Sequence, residues 1–258
     1  MITEYDKKAK ERQEQILSKV NRAHTYVEKP MMKSMMRDLS NNRVLLLGCG
    51  TGDESQLLKE FNAKDITGID ISKKSIEIAK KTYPKYKFIN SDMHKLPFED
   101  EYFDFVYSSL AIHYSNNPEK VYKEVYRVLN NNGYFLFSVG HPLRWTSEKV
   151  NTNNKEFKLL GYQNSKEENK IYGKYNTFTK VEEYLACEDI TFILHIASPS
   201  TQFKLLKKCG FQIEDFSESA CIDELKDIDY NYWYRYHEIP QFMAFLAKKD
   251  CKTKIRKP

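Results

Sequence analysis

One stretch constrains the fold of this chain more than any other: Arg43-Val44-Leu45-Leu46-Leu47-Gly48-Cys49-Gly50-Thr51-Gly52-Asp53. A run of branched apolar residues without alternation predicts a strand buried on both faces. It stops at three glycines in every second position, and Asp53-Glu54-Ser55-Gln56-Leu57-Leu58 then takes up helical spacing. Strand, glycine turn and helix open a Rossmann-like unit, in which a nucleotide-bearing ligand approaches bare backbone.

The dinucleotide fingerprint needs Gly-x-Gly-x-x-Gly. Here Asp53 stands where the third glycine of that pattern would be. An acid suits the positive end of a helix dipole but would repel a pyrophosphate placed there. A cationic or zwitterionic ligand fits better, and S-adenosylmethionine carries both a sulfonium and an ammonium. Taken alone, the motif is equally well explained by a plain tight turn.

More distant segments narrow the choice. Asp65-Ile66-Thr67-Gly68-Ile69-Asp70-Ile71-Ser72 predicts a second strand ending in an acid, which is placed to accept from ribose hydroxyls. Tyr86-Lys87-Phe88-Ile89-Asn90-Ser91-Asp92-Met93 predicts a third, also ending in an acid. A turn and fourth strand follow in Leu96 to Ser109. A helix then closes at Arg127-Val128-Leu129, and a fifth strand opens after Gly133.

In this order and spacing, Val-Leu-x-Leu-Gly-Cys-Gly-Thr-Gly, Gly-Ile-Asp-Ile-Ser, Ser-Asp-Met, Leu-Pro-Phe-x-Asp-x-x-Phe-Asp and Arg-Val-Leu-x-x-x-Gly resemble the class I S-adenosylmethionine-dependent methyltransferases. The match covers about Arg43 to Val139, with a weaker continuation to the C-terminus. The resemblance implies an α/β fold: a Rossmann-like seven-stranded sheet, mostly parallel, with a C-terminal antiparallel hairpin and helices on both faces. It implies S-adenosylmethionine as cofactor and S-adenosylhomocysteine as product.

The resemblance also implies site residues. Gly48 and Gly50 let the backbone pass close to the methionine part, Asp70 holds the ribose diol and Ile71 packs on the adenine. Asp92 accepts from the adenine amino group beside the Met93 backbone. Cys49, Asp53, Ser72 and the carbonyl of Ser109 complete the set, and Tyr26, in a leader folded over the cofactor, touches it. For Asp70 and Asp92 the competing reading is a helix N-cap or turn aspartate. One position departs from the family, which usually carries an acid two residues before the first glycine, facing the cofactor's amino end. Here that residue is Leu46.

Methyl transfer from a sulfonium is an in-line displacement, so the protein mainly aligns the reactants, adding a base when the acceptor holds a proton. His113, after the fourth strand, and His141, after the fifth, are the candidate bases because imidazole titrates near neutrality. The competing reading is structural, with His113 bonding the following helix and His141 fixing a His-Pro turn. Asp/Asn-Pro-Pro-aromatic, which holds a flipped base, is replaced after the fourth strand by Ser108-Ser109-Leu110-Ala111. No cysteine lies near strands four or five, which disfavours carbon methylation of a nucleobase.

With 258 residues, the chain suits one domain with insertions. The expected divisions are 1–42 as an N-terminal helical cover, 43–140 as the cofactor-binding core, 141–198 as an inserted lid, and 199–258 as the remaining core. Within the cover, Glu4 to Val20 suits a surface helix, Asn21 to Pro30 a break, and Met31 to Met36 a second helix. No apolar run reaches membrane-spanning length. The five cysteines lack a Cys-x-x-Cys pair, which points to reduced thiols in the cytoplasm and to no metal. A net charge of +5 would suit nucleic acid, but the dense cluster is a short C-terminal tail.

The insertion is far longer than an ordinary connection. Lys170 to Phe178 and Ile190 to Ile196 have strand character and suit an antiparallel flap over the acceptor. Tyr114, Trp145, Tyr172, Tyr175 and His195 are the candidate substrate contacts, with Phe178 beside them. Asp229 to His237 is strongly aromatic and suits a pocket rim or a dimer contact. The expected partner is a small-molecule acceptor with an oxygen or nitrogen nucleophile, rather than a membrane or nucleic acid, bound by a monomer or homodimer. Two other readings stay open: an RNA (tRNA) methyltransferase, and a non-catalytic cofactor-binding or regulatory protein, the latter suggested by Leu46.

Overall fold

The computed structural model describes residues 9, 14, 21–152, 155–164, 168–185 and 190–250. Strand β1 (Arg43–Leu47) lies between the parallel strands β2 (Asp65–Asp70) and β4 (Phe103–Ser108), with β3 (Lys87–Asn90) outside β2. Beyond β4 come β5 (Leu129–Gly140), then β13 (Phe242–Lys249), then β12 (Phe211–Glu218), giving the order β12-β13-β5-β4-β1-β2-β3. β13 runs antiparallel to both its neighbours. This is the expected seven-stranded, mostly parallel sheet ending in an antiparallel hairpin.

The apolar run of β1 follows from its place at the middle of that sheet. Val44 and Leu46 pack on one face with Met32, Leu57 and Tyr107, while Leu45 and Leu47 pack on the other with Val121, Tyr122 and Phe135. None of the four is more than 1% exposed. Helices α1 (Lys29–Ser34), α2 (Glu54–Glu60), α3 (Lys73–Thr82), α7 (Glu224–Ile228) and α8 (Tyr230–Glu238) cover the first face. Helices α4 (Pro118–Val128) and α6 (Pro199–Lys208) cover the second, and α5 (Pro142–Trp145) is a single turn after β5. Helix starts follow the sequence signals: Ser72, Asn117 and Ser198 each accept a backbone N–H in the first turn, and proline follows the last two.

The N-terminal cover differs from expectation. Of the helix read over Glu4 to Val20, only residues 9 and 14 are among those described, and the C-terminal basic tail from residue 251 also lies outside them. The expected break at Asn21 to Pro30 is a π-helical turn, His24–Glu28, running into α1, and Lys29 N–H bonds to His24 O, five residues back. Pro30 has no N–H to give the carbonyl of Tyr26, which accepts instead from Ile222 N at 3.1 Å. The methionines pack as expected, with Met31, Met32 and Met35 buried.

The insertion forms three hairpins: β6 (Glu148–Thr152) with β7 (Lys155–Leu159), β8 (Gly161–Asn164) with β9 (Asn169–Tyr172), and β10 (Thr179–Leu185) with β11 (Ile190–Ile196). The expected pairing of Lys170–Phe178 with Ile190–Ile196 does not occur. Gly173, at φ +76°, ends β9, and β11 takes Thr179–Leu185 as its partner. Phe192, Leu194 and Ile196 point one way, burying against Tyr114, Trp145 and Val181. No helix among the described residues is long and apolar enough to cross a membrane.

Because Leu46 lies against Tyr107 with both faces of β1 covered, an acid there would be an unpaired buried charge. Leu46→Asp is expected to destabilise the fold by about 3 kcal/mol or more. Urea unfolding checks this, and an unchanged midpoint would contradict the packing described.

Candidate functional site

The glycine turn opens on a cavity of about 460 Å³ at the carboxyl ends of β1 to β4. Its wall runs from Gly48–Thr51 after β1, through Asp70 and Ile71 after β2 and Ser91–His94 after β3, to Ser109–Ala111, Tyr114 and Ser115 after β4. Asn21 and His24 from the N-terminal segment, with Asp53 and Glu54, line the same space.

Two glycines are demanded by geometry. Gly48 has φ +69°, and a Cβ there would stand 2.3 Å from Ala111 Cβ. Gly50 has φ +50°, and its Cβ would meet nothing within 4 Å, so bare backbone faces open space. That turn is tied to β2 by one carboxylate: Asp70 Oδ2 accepts from Gly50 N and Oδ1 from Ser72 N, each at 2.8 Å. Asp70 is therefore a turn aspartate and a cavity residue at once. Asp53 accepts from Thr51 Oγ1 and, at 2.8 Å, from Tyr83 OH, so its charge is held inside the turn. Burial, with the nearby Asp70 charge, pushes the Cys49 thiol well above its ordinary range, which suits a packing residue rather than a nucleophile.

Past β2, Ile71 is 56% exposed and forms an apolar platform on the wall. Asp92 Oδ1 accepts from His94 N at 2.9 Å and lies 2.6 Å from His94 Nδ1, while His94 Nε2 lies 2.6 Å from Ser115 Oγ. One oxygen of Asp92 is thus fixed by its own turn.

At the β1–β4 end sits a buried charged cluster. Glu28 Oε1 accepts from Ser109 Oγ at 2.9 Å and from Ser138 Oγ at 2.6 Å. Glu54 Oε2 accepts from Tyr107 OH at 3.0 Å, and Glu54 Oε1 lies 3.1 Å from His24 Nε2 and 3.2 Å from Lys29 Nζ. Burial raises the Glu28 pKa, an effect that the neighbouring His24 charge only partly offsets. Burial acts the same way on Glu54, but contact with His24, the charge of Lys29 and the Tyr107 hydroxyl outweigh it and hold that carboxyl down to about 2. Burial would lower His24, yet Glu54 and Glu28 hold it above its ordinary 6.5.

The pH dependence has a definite sign. A group whose folded pKa is raised contributes stability below its unfolded pKa and loses it as pH climbs through the folded value. His24, ordinarily 6.5, and Glu28, ordinarily 4.5, both fall in this class. Over the interval above pH 6.5, as His24 gives up its proton, thermal stability is expected to fall, and His24→Gln to flatten that slope. A stability rising over that interval in the parent protein would contradict the cluster as described.

Several residues expected at the site lie away from it. Tyr26 is buried in the core, where the Pro30-imposed π turn directs its carbonyl to Ile222, and His24 takes the place on the wall. Ser72 is the fully buried N-cap of α3. His113 Nδ1 accepts from Gly140 N at 3.0 Å beneath β5. His141 is 0% exposed, with Nδ1 accepting from Leu143 N and Nε2 2.8 Å from Glu218 Oε1. Neither imidazole lines the cavity; His141 fixes its turn as the structural reading has it, whereas His113 accepts from the end of β5. Burial also lowers the His141 pKa despite the adjacent Glu218.

Trp145 donates to Gln241 O at 3.0 Å, and His195 stacks on Phe178. Tyr172 and Tyr175 line a separate depression within the β8–β9 hairpin and the loop after it. Tyr114 alone of the proposed acceptor contacts lines the main cavity, its ring 5.9 Å from that of Phe192. Helix α8 buries Tyr236 and packs Tyr232 and Trp233 on the core, so the aromatic stretch is not a rim of this cavity.

Sequence reasoning missed His24, Glu54 and His94. Two signals were available: Glu54 opens the helix after the glycine turn, and His94 stands two residues past Asp92. His24 carries no such signal, because Pro30 reads as a break. Among the described residues no group of three or more His, Cys, Asp or Glu side chains is placed to hold a metal ion. His141→Asn is expected to lower the melting temperature by several degrees, the scale of about 1–2 kcal/mol for a lost cap and buried hydrogen bond. Adenosyl-ligand affinity, read by calorimetry, is expected to stay within about twofold.

Residues 45–137 match the family described as Methyltransferase domain. A Legionella pneumophila malonyl-[acyl-carrier protein] O-methyltransferase is 29% identical over 175 residues, covering 65% of this chain and 55% of that protein. A Thermotoga maritima demethylmenaquinone methyltransferase is 28% identical over 182 residues, covering 69% and 74%. The chain spans about half the length of the first curated relatives it matches. The crystal structure of an S-adenosylmethionine-dependent methyltransferase from Mesorhizobium loti superposes with TM-score 0.69 at 23% identity, covering 86% of this chain and 97% of that one. Its likeness is one of fold.

Proposed function

We propose that the chain, whose residues 45–137 match a methyltransferase domain, is a class I, S-adenosylmethionine-dependent enzyme that methylates an oxygen or nitrogen of a small-molecule acceptor. The observation that carries this reading is the Asp70 carboxylate, bonded to Gly50 N on the cavity wall. It brings a bare glycine backbone and a strand-end acid to the same face of one space. The open side of Gly50 and the exposed Ile71 platform fit an adenosyl group passing over the turn.

S-adenosylmethionine, when bound, supplies a methyl group already activated on a sulfonium. What is left to the protein is binding, orientation and exclusion of water. Asp70 would accept from the ribose hydroxyls, and Ile71 and Met93 would pack against the adenine. Asp92, with one oxygen fixed by His94, would accept from the adenine amino group. The Ser109 backbone would meet the amino-acid end, where its hydroxyl already holds Glu28.

The acceptor would approach past Tyr114, against which β11 rests. With His113 and His141 turned to the backbone, alignment rather than a dedicated imidazole base would supply the rate. The names of the Legionella and Thermotoga relatives give those proteins malonyl-[acyl-carrier protein] and demethylmenaquinone as acceptors, neither a nucleic acid. That supports a metabolite-type acceptor here.

Calorimetry with S-adenosylhomocysteine tests the reading, with NADH as control. Micromolar binding is expected for the parent protein, and Asp70→Asn is expected to weaken it by about 1.5–3 kcal/mol, the scale of a hydrogen bond to a charged group. Binding of NADH instead, or of neither ligand, would overturn the assignment.

A further inference from the structure

The position that carries an acid in the related methyltransferases is closed to one here, since Leu46 is 1% exposed with core packing around it. A methionine-type tail nonetheless brings a localised ammonium, which needs a negative partner when taken out of water. The negative charge beside the glycine turn comes from other elements. Glu54, the first residue of α2, lines the cavity and is 8% exposed, and Glu28, in the π turn, stands behind it at 0%.

Each carboxylate has one oxygen engaged by hydroxyls, from Tyr107 for Glu54 and from Ser109 and Ser138 for Glu28. The second oxygens are buried: Glu54 Oε1 is held by ion pairs with His24 and, at 3.2 Å, Lys29 Nζ, and Glu28 Oε2 accepts no aligned hydrogen bond among the described residues. Both lie near His24 Nε2, at 3.1 Å and 3.6 Å. His24 itself lines the cavity.

A buried ion cluster is costly unless further polar contacts complete it. It stands over β1 and β4, whereas Asp70 and Asp92 stand over β2 and β3, so adenosine and tail would lie along one trough. We propose that Glu54, backed by Glu28, receives the ammonium of the donor's amino-acid tail and that His24 receives its carboxylate. The tail-recognising acid has thus moved from the central strand to the first turn of the following helix. A zwitterion adds one cation and one anion and so leaves the cluster's net charge unchanged. This inference rests on the methyl-donor reading above.

The test separates the two. S-adenosylhomocysteine, its deaminated analogue and 5′-methylthioadenosine, which lacks the tail, are titrated into the parent protein, Glu54→Gln and His24→Gln, with melting temperatures recorded alongside. Glu54→Gln is expected to weaken S-adenosylhomocysteine by at least about tenfold and to leave the deaminated analogue and methylthioadenosine within about threefold. His24→Gln, which keeps a polar side chain at the wall, is expected to weaken both carboxylate-bearing ligands while sparing methylthioadenosine.

Equal losses for all three ligands would mean that the cluster only braces the fold, and unchanged affinities would mean that it does not face the tail. Either result overturns the inference while leaving the methyl-donor reading in place. A parent protein that binds none of the three overturns both.

Discussion

Everything at this site follows from the burial of β1 on both faces. With parallel neighbours on each side and helices above and below, the side chains from Val44 to Leu47 are apolar and close-packed. Chemistry can then enter only where the strand stops. The stop is made of glycines because Ala111 stands where a Cβ of Gly48 would be, and because the backbone of Gly50 borders open space. A single carboxylate, Asp70, locks that turn to the neighbouring strand.

The same constraint explains the charged cluster at the other end of the cavity. With Leu46 packed into the core in this chain, negative charge beside the glycine turn comes from other elements. The first turn of α2 is one, and the π turn before α1 is the other. Pro30 breaks the regular hydrogen-bond ladder, and the chain responds with a wider turn rather than a break. That turn carries His24 to the cavity wall and buries Glu28 beside two serine hydroxyls. The cost of burying these charges is offset by their pairing with His24 and Lys29.

The inserted hairpins meet the core in a simpler way. Among the described residues, β11 presents an apolar face that, with Val181 of β10, meets Tyr114 and Trp145 just past the ends of β4 and β5. An element that rests on a cavity-lining residue is suited to shape acceptor access. The aromatic helix α8 also belongs to the core on its inner side, with Tyr230 and Tyr234 facing outward.

The sequence by itself determined the sheet, the glycine turn and the strand-end acids, because each is written locally. An apolar run of strand length, glycines at forced conformations and acids at strand ends need no knowledge of distant residues. Tertiary structure alone decided which side chains reach the cavity. His113 and His141 stand where catalytic imidazoles would be sought, yet Gly140 N and Leu143 N take up their ring nitrogens. His24 stands within an apparent break, yet a π turn ahead of Pro30 delivers it beside Glu54. Hydrogen bonds across tens of residues set these orientations, and such bonds leave no periodicity along the chain for a reader to find.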